Sequence, residues 1–244
     1  DQRDSRLAAL IDGNRITGIR TAATAAAALT ALLPTQRIPV AVVGSGFEAR
    51  AQLRALARVA DIAEARVTSP TAANRERFAA ELSEELGITI TSVASAEDAV
   101  RGASLVLCAA RSRDESPTVL SEWVADDATI VSVGSTTRSQ RELDPAIIGR
   151  AAIVVADAPA EVLHDSGDMI AAREAGIDVD AVTVPLHELL GGNDGASRPE
   201  RGIAVYKSTG SGFQDIVLAE LLYDRAVEQG LGTPLPVGIL TIRK

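Results

Sequence analysis

The chain has 244 residues, and a chain of this length buries roughly 70–75% of its extended surface, so its core needs no disulfide or metal. Only 2% of the residues are aromatic, so Ala, Val, Leu and Ile must build that core. The net charge of -9 argues against a protein that holds nucleic acid through a basic face. The longest apolar stretch, 21–33, is too short and too rich in alanine for a membrane span, and we expect no membrane partner.

The chain contains one cysteine, Cys108, which lies in an apolar run. A single cysteine excludes an intramolecular disulfide, and its apolar neighbours favour a buried structural thiol. We therefore expect a reducing, cytoplasmic compartment. The two histidines, His164 and His187, lack metal-ligand spacing, and we expect no metal site.

Apolar runs alternate with helical periodicity along the chain, which is the pattern of a parallel sheet covered on both faces. The predicted elements are strand 38–44, helix 47–59, strand 65–69, helix 71–86, strand 89–93, helix 95–101 and strands 105–109, 129–134 and 152–157. This order predicts an α/β protein with a Rossmann-type doubly wound sheet. Segment 191–199 has the composition of a surface loop, with a lid as the alternative.

Two segments, 8–23 and 203–231, do not fit this alternation, and each leads into a helix. We therefore predict a dinucleotide-binding domain at 25–202. A discontinuous second domain is predicted from 1–24 and 203–244.

The first predicted strand turns into a helix through GSGFEA, residues 44–49. In this Gly-x-Gly-x-x-Ala pattern, Gly44 permits a tight turn, Gly46 lets a pyrophosphate approach the backbone, and Ala49 lets the helix pack closely on the strand. The N–H groups at the start of the helix then face the phosphates. An ordinary strand-to-helix turn is the alternative, but the order of strand, turn and helix favours dinucleotide binding.

The end of the second strand, RVTSPT at 66–71, carries no acid that would accept a hydrogen bond from a ribose 2′-OH. Ser69 and Thr71 can donate hydrogen bonds to a 2′-phosphate, and Arg75 lies one helical turn later. We expect NADP as the cofactor, with NADPH bound at least as tightly as NADH, and NAD as the alternative.

Four motifs occur in order: ITGIRTAA at 16–23, GSGFEA at 44–49, VG at 133–134 followed by RELD at 141–144, and KSTGSGFQD at 207–215. In this combination the chain resembles the ornithine cyclodeaminase and mu-crystallin family over nearly its whole length. The resemblance implies NAD(P)-dependent chemistry on small amino or imino acids. It also implies a homodimer, with the second domain contributing to substrate binding and to dimerisation.

The implied function is an NAD(P)H-dependent oxidoreductase acting on the carbon–nitrogen bond of a small amino or imino acid. The alternatives are an ornithine cyclodeaminase that releases ammonia, and a mu-crystallin-like protein that binds NADPH and a carboxylate without turnover. Ornithine cyclodeaminase has a catalytic aspartate two residues after the motif glycine, where this chain has Thr136. A threonine cannot act as a carboxylate base, so we expect imine reduction to dominate.

The family has further N-terminal residues, which supply an arginine and a lysine for the substrate carboxylate. Their absence from this sequence has three explanations: an incomplete sequence, a naturally short protein or lost chemistry. We favour the first.

Arg20 carries a planar, permanent charge suited to a substrate carboxylate or a phosphate, unless it is a surface residue at a helix start. Lys207, Asp215 and Thr136 are the catalytic candidates, although Lys207 also fits a solvated strand end and Asp215 the first turn of a helix. Glu142 and Asp144 are expected to fix a turn and begin a helix. The residues expected to bind the cofactor are Arg20, Thr21, Gly44, Ser45, Gly46, Phe47, Glu48, Ala49, Ser69, Thr71, Arg75, Ala110, Arg111, Val133, Gly134 and Ser135.

Overall fold

The computed structural model describes residues 7–33, 36–110, 115–191 and 197–234. The chain forms two compact units. The larger unit is Thr21–Gly210, and the smaller one combines Asp1–Arg20 with Ser211–Lys244. In the described part of the chain, no helix has the length and apolar character that crossing a membrane requires.

The larger unit is built on an eight-stranded sheet in which every strand pairing is parallel. Its strands are β1 (Ile38–Val43), β2 (Ile62–Thr68), β3 (Ile90–Ser92), β4 (Leu105–Cys108), β5 (Thr129–Ser132), β6 (Ala151–Ala156), β7 (Thr183–Pro185) and β8 (Ile203–Lys207). Their spatial order is β3-β2-β1-β4-β5-β8-β6-β7. This topology confirms the predicted α/β class and doubly wound sheet.

The helices of the described residues are α1 (Gly13–Leu32), α2 (Phe47–Leu56), α3 (Ala72–Leu86), α4 (Ala96–Val100), α5 (Pro145–Gly149), α6 (Pro159–Asp165), α7 (Gly167–Glu174), α8 (Val179–Val182), α9 (Leu186–Leu190) and α10 (Gly212–Glu228). The longest of them, α1, begins earlier than the motif at 16–23 suggested, so that motif lies within the helix. A short 3₁₀ turn, Ser121–Trp123, follows β4.

The side chains of β1 alternate between two apolar clusters, as in a strand that is covered on both faces. Val40 and Val42 belong to one cluster, whereas Ala41 and Val43 belong to the other. Each fully buried valine side chain of this kind contributes about 1.5–3 kcal/mol. The sheet is therefore a rigid platform for the turns that leave its carboxyl edge.

The strand order reverses beside β1, whose neighbours are β2 on one side and β4 on the other. In open parallel sheets, ligands bind outside the carboxyl ends of the strands at such a switch point. The predicted glycine turn leaves β1 at this point.

Strand β8 differs from our expectation, because segment 203–231 was assigned outside the nucleotide-binding domain. Instead, β8 lies in the middle of the sheet, with Val205 paired to Ile130 of β5 and to Val154 of β6. The strand is buried on both faces, which explains its apolar run Ile203–Tyr206, and it ends in the buried Lys207. The sheet unit consequently extends to Gly210 rather than to residue 202.

Candidate active site

The turn after β1 has a backbone conformation that requires glycine. Gly44 has a φ of +116°, a region that side-chain-bearing residues rarely adopt. A Cβ atom added there would lie 2.6 Å from the carbonyl oxygen of Ala109. The first glycine of the motif therefore serves both a tight turn and a close approach to the end of β4.

The start of α2 is open to a ligand. Gly46 is the N-cap residue, and it has no side chain with which to accept a hydrogen bond from the first helical turn. Among the described residues, a Cβ atom at Gly46 would find no neighbour within 4 Å. Ala49 is fully buried against the core. This arrangement fits a pyrophosphate, which needs unblocked backbone and the uncapped N–H groups of a helix.

The end of β2 contributes polar groups to the same region. The Ser45 hydroxyl donates to Ser69 Oγ at 2.8 Å, which links the glycine turn to the end of β2. Arg75 Nη1 donates to the carbonyl oxygen of Ser69 at 3.1 Å. Thr71 is the N-cap residue of α3, the helix that carries Arg75, and its side chain makes no capping hydrogen bond. The structure thus gathers four of the predicted cofactor residues around one strand end.

The turns after β4 and β5 are joined by a buried carboxylate. Glu142 Oε1 accepts a hydrogen bond from the Ala110 N–H at 2.8 Å, and Oε2 accepts one from the Gly134 N–H at 2.8 Å. Oε2 also accepts the hydroxyl of Ser132 at 2.7 Å. A Cβ atom at Gly134 would lie 2.8 Å from Glu142 Cδ, so only glycine leaves room for this carboxylate.

Beneath Glu142 lies an ion pair between Lys207 and Asp168, whose side chains are both 0% exposed. Lys207 Nζ donates to Asp168 Oδ2 at 2.8 Å and to the hydroxyls of Ser132 and Ser135 at 2.7 Å each. Asp168 Oδ1 accepts the backbone N–H of Glu142 at 2.8 Å. We call Ser132, Ser135, Glu142, Asp168 and Lys207 the buried polar cluster.

The pKa values of the two carboxyl groups in the buried polar cluster are shifted in opposite directions. Burial raises the pKa of Glu142 above its ordinary value, despite the opposing charge of Lys207. Burial also acts to raise the pKa of Asp168, but the charge and hydrogen bond of Lys207, together with the other donors, hold it below its ordinary value. Lys207 therefore compensates Asp168 more completely than it compensates Glu142.

Lys207 does not have the solvent-facing position that a proton donor to a substrate needs. Its side chain is fully buried, and its ammonium donates to three side chains of the buried polar cluster. The sequence suggested either a residue of the crevice or a solvated strand end, and the structure supports neither position. An ammonium has three N–H donors, and here all three have acceptors.

The remaining site candidates of the larger unit have varied surroundings. Thr136 is exposed, and its backbone N–H donates to Gln140 Oε1 at 3.3 Å. Phe47 is exposed, Glu48 is half-buried, and Thr21 and Val133 are buried. Arg111 lies outside the described residues, as does 192–196 of the predicted loop.

The smaller unit pairs Arg20 with Asp215. Arg20 Nε donates to Asp215 Oδ1 at 2.9 Å, and Nη1 donates to Gln214 Oε1 at 3.4 Å. Arg20 is 12% exposed at its side chain, whereas Asp215 is 40% exposed. Asp215 also lies in the first turn of α10, as its alternative interpretation held. The ion pair therefore joins a predicted substrate residue to a predicted catalytic one.

Sequence reasoning missed Asp168 and the true position of Glu142. Asp144 begins a helix as expected, since it caps α5 by accepting the Ala146 N–H at 2.9 Å. Glu142 does fix turns, but from a buried position. The sequence carries no signal for Asp168, whose hydrogen-bond partners lie 25–39 residues away in the chain. The structure explains the preceding Gly167, where a Cβ atom would lie 2.8 Å from the Arg138 carbonyl oxygen. In the described part of the chain, no group of three or more His, Cys, Asp or Glu side chains is arranged to hold a metal ion.

Comparison with known proteins gives a consistent set of matches. A family model described as "Ornithine cyclodeaminase/mu-crystallin family" matches residues 1–230. The ketimine reductase mu-crystallin of Mus musculus is 30% identical over 224 residues, which cover 92% of this chain and 67% of the mouse protein.

Two solved structures are also similar. The Delta(1)-pyrroline-2-carboxylate reductase of Thermococcus litoralis, in complex with NADH and L-proline, is 32% identical with a TM-score of 0.85, and the match covers 91% of this chain and 68% of that one. An archaeal alanine dehydrogenase dimer with bound NAD is 26% identical with a TM-score of 0.82 and the same coverage, 91% and 68%.

Proposed function

Because this chain belongs to the ornithine cyclodeaminase/mu-crystallin family, we propose that it is an NAD(P)H-dependent oxidoreductase that reduces the carbon–nitrogen double bond of a small imino acid. The observation that carries the proposal is the turn at Gly44 and Gly46, which leaves β1 at the switch point of the sheet. The named reductases among the similar proteins support the choice of substrate class.

The start of α2 would hold the pyrophosphate of the dinucleotide, because the first-turn N–H groups there have no side-chain cap from Gly46. When bound, NAD(P)H supplies the hydride that the imine carbon accepts. Ser69, Thr71 and Arg75 hold the 2′-phosphate of NADPH, since the end of β2 carries no acid to favour NADH. NADPH is therefore the proposed cofactor, with NADH as a weaker substitute.

Arg20 binds the carboxylate of the imino acid. The guanidinium donates to Asp215 through Nε and to Gln214 through Nη1. Asp215 orients the guanidinium by accepting the hydrogen bond from Nε, so that a planar fork meets a planar carboxylate. Fixing one end of the substrate in this way favours a near-attack geometry at the imine carbon.

Reduction of an imine adds a hydride to carbon and a proton to nitrogen. The exposed hydroxyl of Thr136, or a water molecule bound to it, relays that proton. Asp215 is the second candidate, because its carboxylate remains partly exposed beside Arg20. The buried ammonium of Lys207 takes no direct part.

The test is to measure two reactions with one preparation of the protein. We expect NADPH oxidation with cyclic or linear imino acids to exceed conversion of ornithine to proline by at least about tenfold, because a positioned carboxylate base contributes about 10²–10⁴-fold to the oxidation of an amine and Thr136 cannot replace it. Efficient proline formation with ammonia release and no accumulated reduced cofactor would identify a cyclodeaminase instead. Tight NADPH binding without either reaction would identify a binding protein.

We also propose a cell compartment and an oligomeric state for the protein. A cytoplasmic location agrees with the single cysteine, Cys108, which is buried and whose pKa burial raises well above its ordinary value. The proposed assembly is a homodimer.

A further inference from the structure

Burying the charged side chains of the buried polar cluster costs desolvation free energy. Three ionisable side chains, Glu142, Asp168 and Lys207, are fully removed from solvent. Removing charges from water carries a desolvation penalty that their mutual attraction often only balances, so apolar residues of similar volume would serve stability equally well. Stability alone therefore does not explain why these three residues are buried here.

The two carboxylates of the cluster accept hydrogen bonds from backbone N–H groups as well as from side chains. Glu142 accepts the N–H of Ala110 and the N–H of Gly134, which belong to different turns. Asp168 accepts the N–H groups of Glu142 and Leu143, at 2.8 and 3.0 Å, and so fixes the segment that presents the Glu142 carboxylate. The cluster thereby sets the relative position of two turns.

Lys207 also holds Ser135, the residue after Gly134 in the turn that follows β5. Besides its three side-chain acceptors, it donates to the carbonyl oxygen of Ser135 at 3.1 Å. Ser135 in turn donates its hydroxyl to Asp168 Oδ2 at 2.5 Å. Main chain and side chain of Ser135 are thus both held by the Lys207–Asp168 pair.

The two turns lie on a defined half of the sheet. They leave the carboxyl ends of β4 and β5, whereas Ser69 and Arg75 lie at the end of β2, across the switch point. A doubly wound sheet divides a dinucleotide between its two halves, and the residue at the end of β2 meets the adenosine ribose. The β4–β5 half therefore receives the nicotinamide.

We propose that Glu142 and the Lys207–Asp168 ion pair are positioning residues that hold the backbone at Ala110 and at 134–135 in the arrangement that the nicotinamide half of the cofactor requires. The inference rests on the proposed function and deepens it. It replaces the proton-donor role expected for Lys207 with one that acts through the backbone of its neighbours.

The test compares two ligands on the same variant. Glu142→Gln keeps the size of the side chain but turns one of its two acceptor oxygens into a donor, which then faces a backbone N–H. Isothermal titration should show NADPH bound at least about tenfold more weakly, the expected result of losing hydrogen bonds to a charged group. Binding of 2′-phospho-ADP-ribose, which lacks nicotinamide, should stay unchanged. The milder Ser132→Ala, which removes one donor to Glu142, should shift the same ratio in the same direction.

Asp144→Ala is the matched control, because Asp144 is also a hydrogen-bonded carboxylate of this segment but contacts neither turn. Its loss should lower stability and leave both affinities unchanged. Equal losses of both ligands in Glu142→Gln and Ser132→Ala, or no loss of either, would overturn the inference while the proposed function stands. A wild-type protein that binds neither ligand would overturn both.

Discussion

At the scale of single residues, Arg20 has the most direct predicted effect on substrate. Its guanidinium is oriented by Asp215 and Gln214 of one helical turn, and its side chain is largely buried. Charge-assisted hydrogen bonds contribute roughly 1.5–3 kcal/mol each, so Arg20→Ala should weaken binding of the imino acid or its carboxylate product analogue about 10- to 150-fold.

Equilibrium binding measured by calorimetry checks this prediction, with thermal unfolding recorded alongside it. Arg15→Ala is the matched control, because Arg15 is an exposed arginine of the same helix, α1. If the Arg20→Ala variant folds and binds the ligand with unchanged affinity, Arg20 does not belong to the site.

Arg75 should decide between the two cofactors. Its guanidinium lies at the end of β2, beside the Ser69 carbonyl, where a 2′-phosphate would be recognised. Arg75→Ala should weaken NADPH binding about 10- to 150-fold and leave NADH binding within about twofold. Arg77→Ala, an exposed arginine of the same helix, should change neither. A wild-type protein that binds NADH about tenfold more tightly than NADPH would contradict the assignment.

Lys207 should show a pH-dependent effect on stability. Removing one partner of a buried ion pair leaves the other uncompensated, so Lys207→Met should lower the free energy of unfolding by about 3–5 kcal/mol at neutral pH. In the wild type, the lowered pKa of Asp168 contributes stability that is present above its unfolded value of 3.8 and is lost as pH falls through the folded value. Without Lys207 that contribution disappears.

The stability difference between wild type and Lys207→Met should therefore narrow as the pH falls from neutral toward 4, where the uncompensated carboxyls of the variant take up protons. Urea unfolding at several pH values measures it. The double variant Lys207→Met with Asp168→Asn removes the uncompensated charge and should recover part of the loss. A difference that stays constant with pH would mean that Lys207 contributes through packing alone.

At the scale of elements, alanine substitutions at the two glycines of the first turn should affect different properties of the protein. Gly44→Ala places a side chain at a φ of +116° and against the Ala109 carbonyl, so it should lower the free energy of unfolding by at least about 2 kcal/mol. Gly46 has a φ of -80° and open space beside it, so Gly46→Ala should change stability by less than about 1 kcal/mol.

Each glycine is the control for the other. Although Gly46→Ala folds, its methyl group occupies the space that the pyrophosphate needs, and NADPH affinity should fall at least about tenfold. Chemical denaturation and NADPH titration on both variants separate the two effects. Unchanged NADPH affinity in Gly46→Ala would place the pyrophosphate elsewhere.

The sequence predicted local elements well because local chemistry determines them. The turn at Gly44 and the cap at Asp144 each depend on residues within a few positions of one another. The position of β8 between β5 and β6 depends instead on crossover connections, which residue periodicity does not encode. An apolar strand next to a polar motif was therefore assigned with that motif.

The buried polar cluster could not be predicted from the sequence for a related reason. Its central pair joins Asp168 and Lys207, which are 39 residues apart, on α7 and β8. From sequence alone, a lysine at a strand end is expected to be solvent-exposed. The side-chain acceptors that bury Lys207 come from a strand, a turn and a helix that are distant in the chain. Once β8 is placed beside β5, Ser132 and Lys207 pair in register and their burial follows.

At the scale of the whole molecule, the smaller unit predicts self-association. None of the residues of α10, all of which are described, is buried, and Phe213 and Ile216 are 76% and 66% exposed. A monomeric protein rarely leaves contiguous apolar side chains in water, and closed twofold pairing is the commonest way to cover them. We therefore expect a homodimer at micromolar concentration.

Light scattering coupled to size-exclusion chromatography measures the assembly, and substitutions identify the surface. Phe213→Asp combined with Ile216→Asp should produce monomers, because two charges at the centre of an apolar contact carry an uncompensated desolvation cost. Val59→Asp makes the same change at an exposed apolar residue of the larger unit and should leave the dimer intact. A wild-type monomer would contradict the prediction. A dimer that survives the double substitution would place the contact on another surface, and α10 would then need a different partner for its apolar side chains.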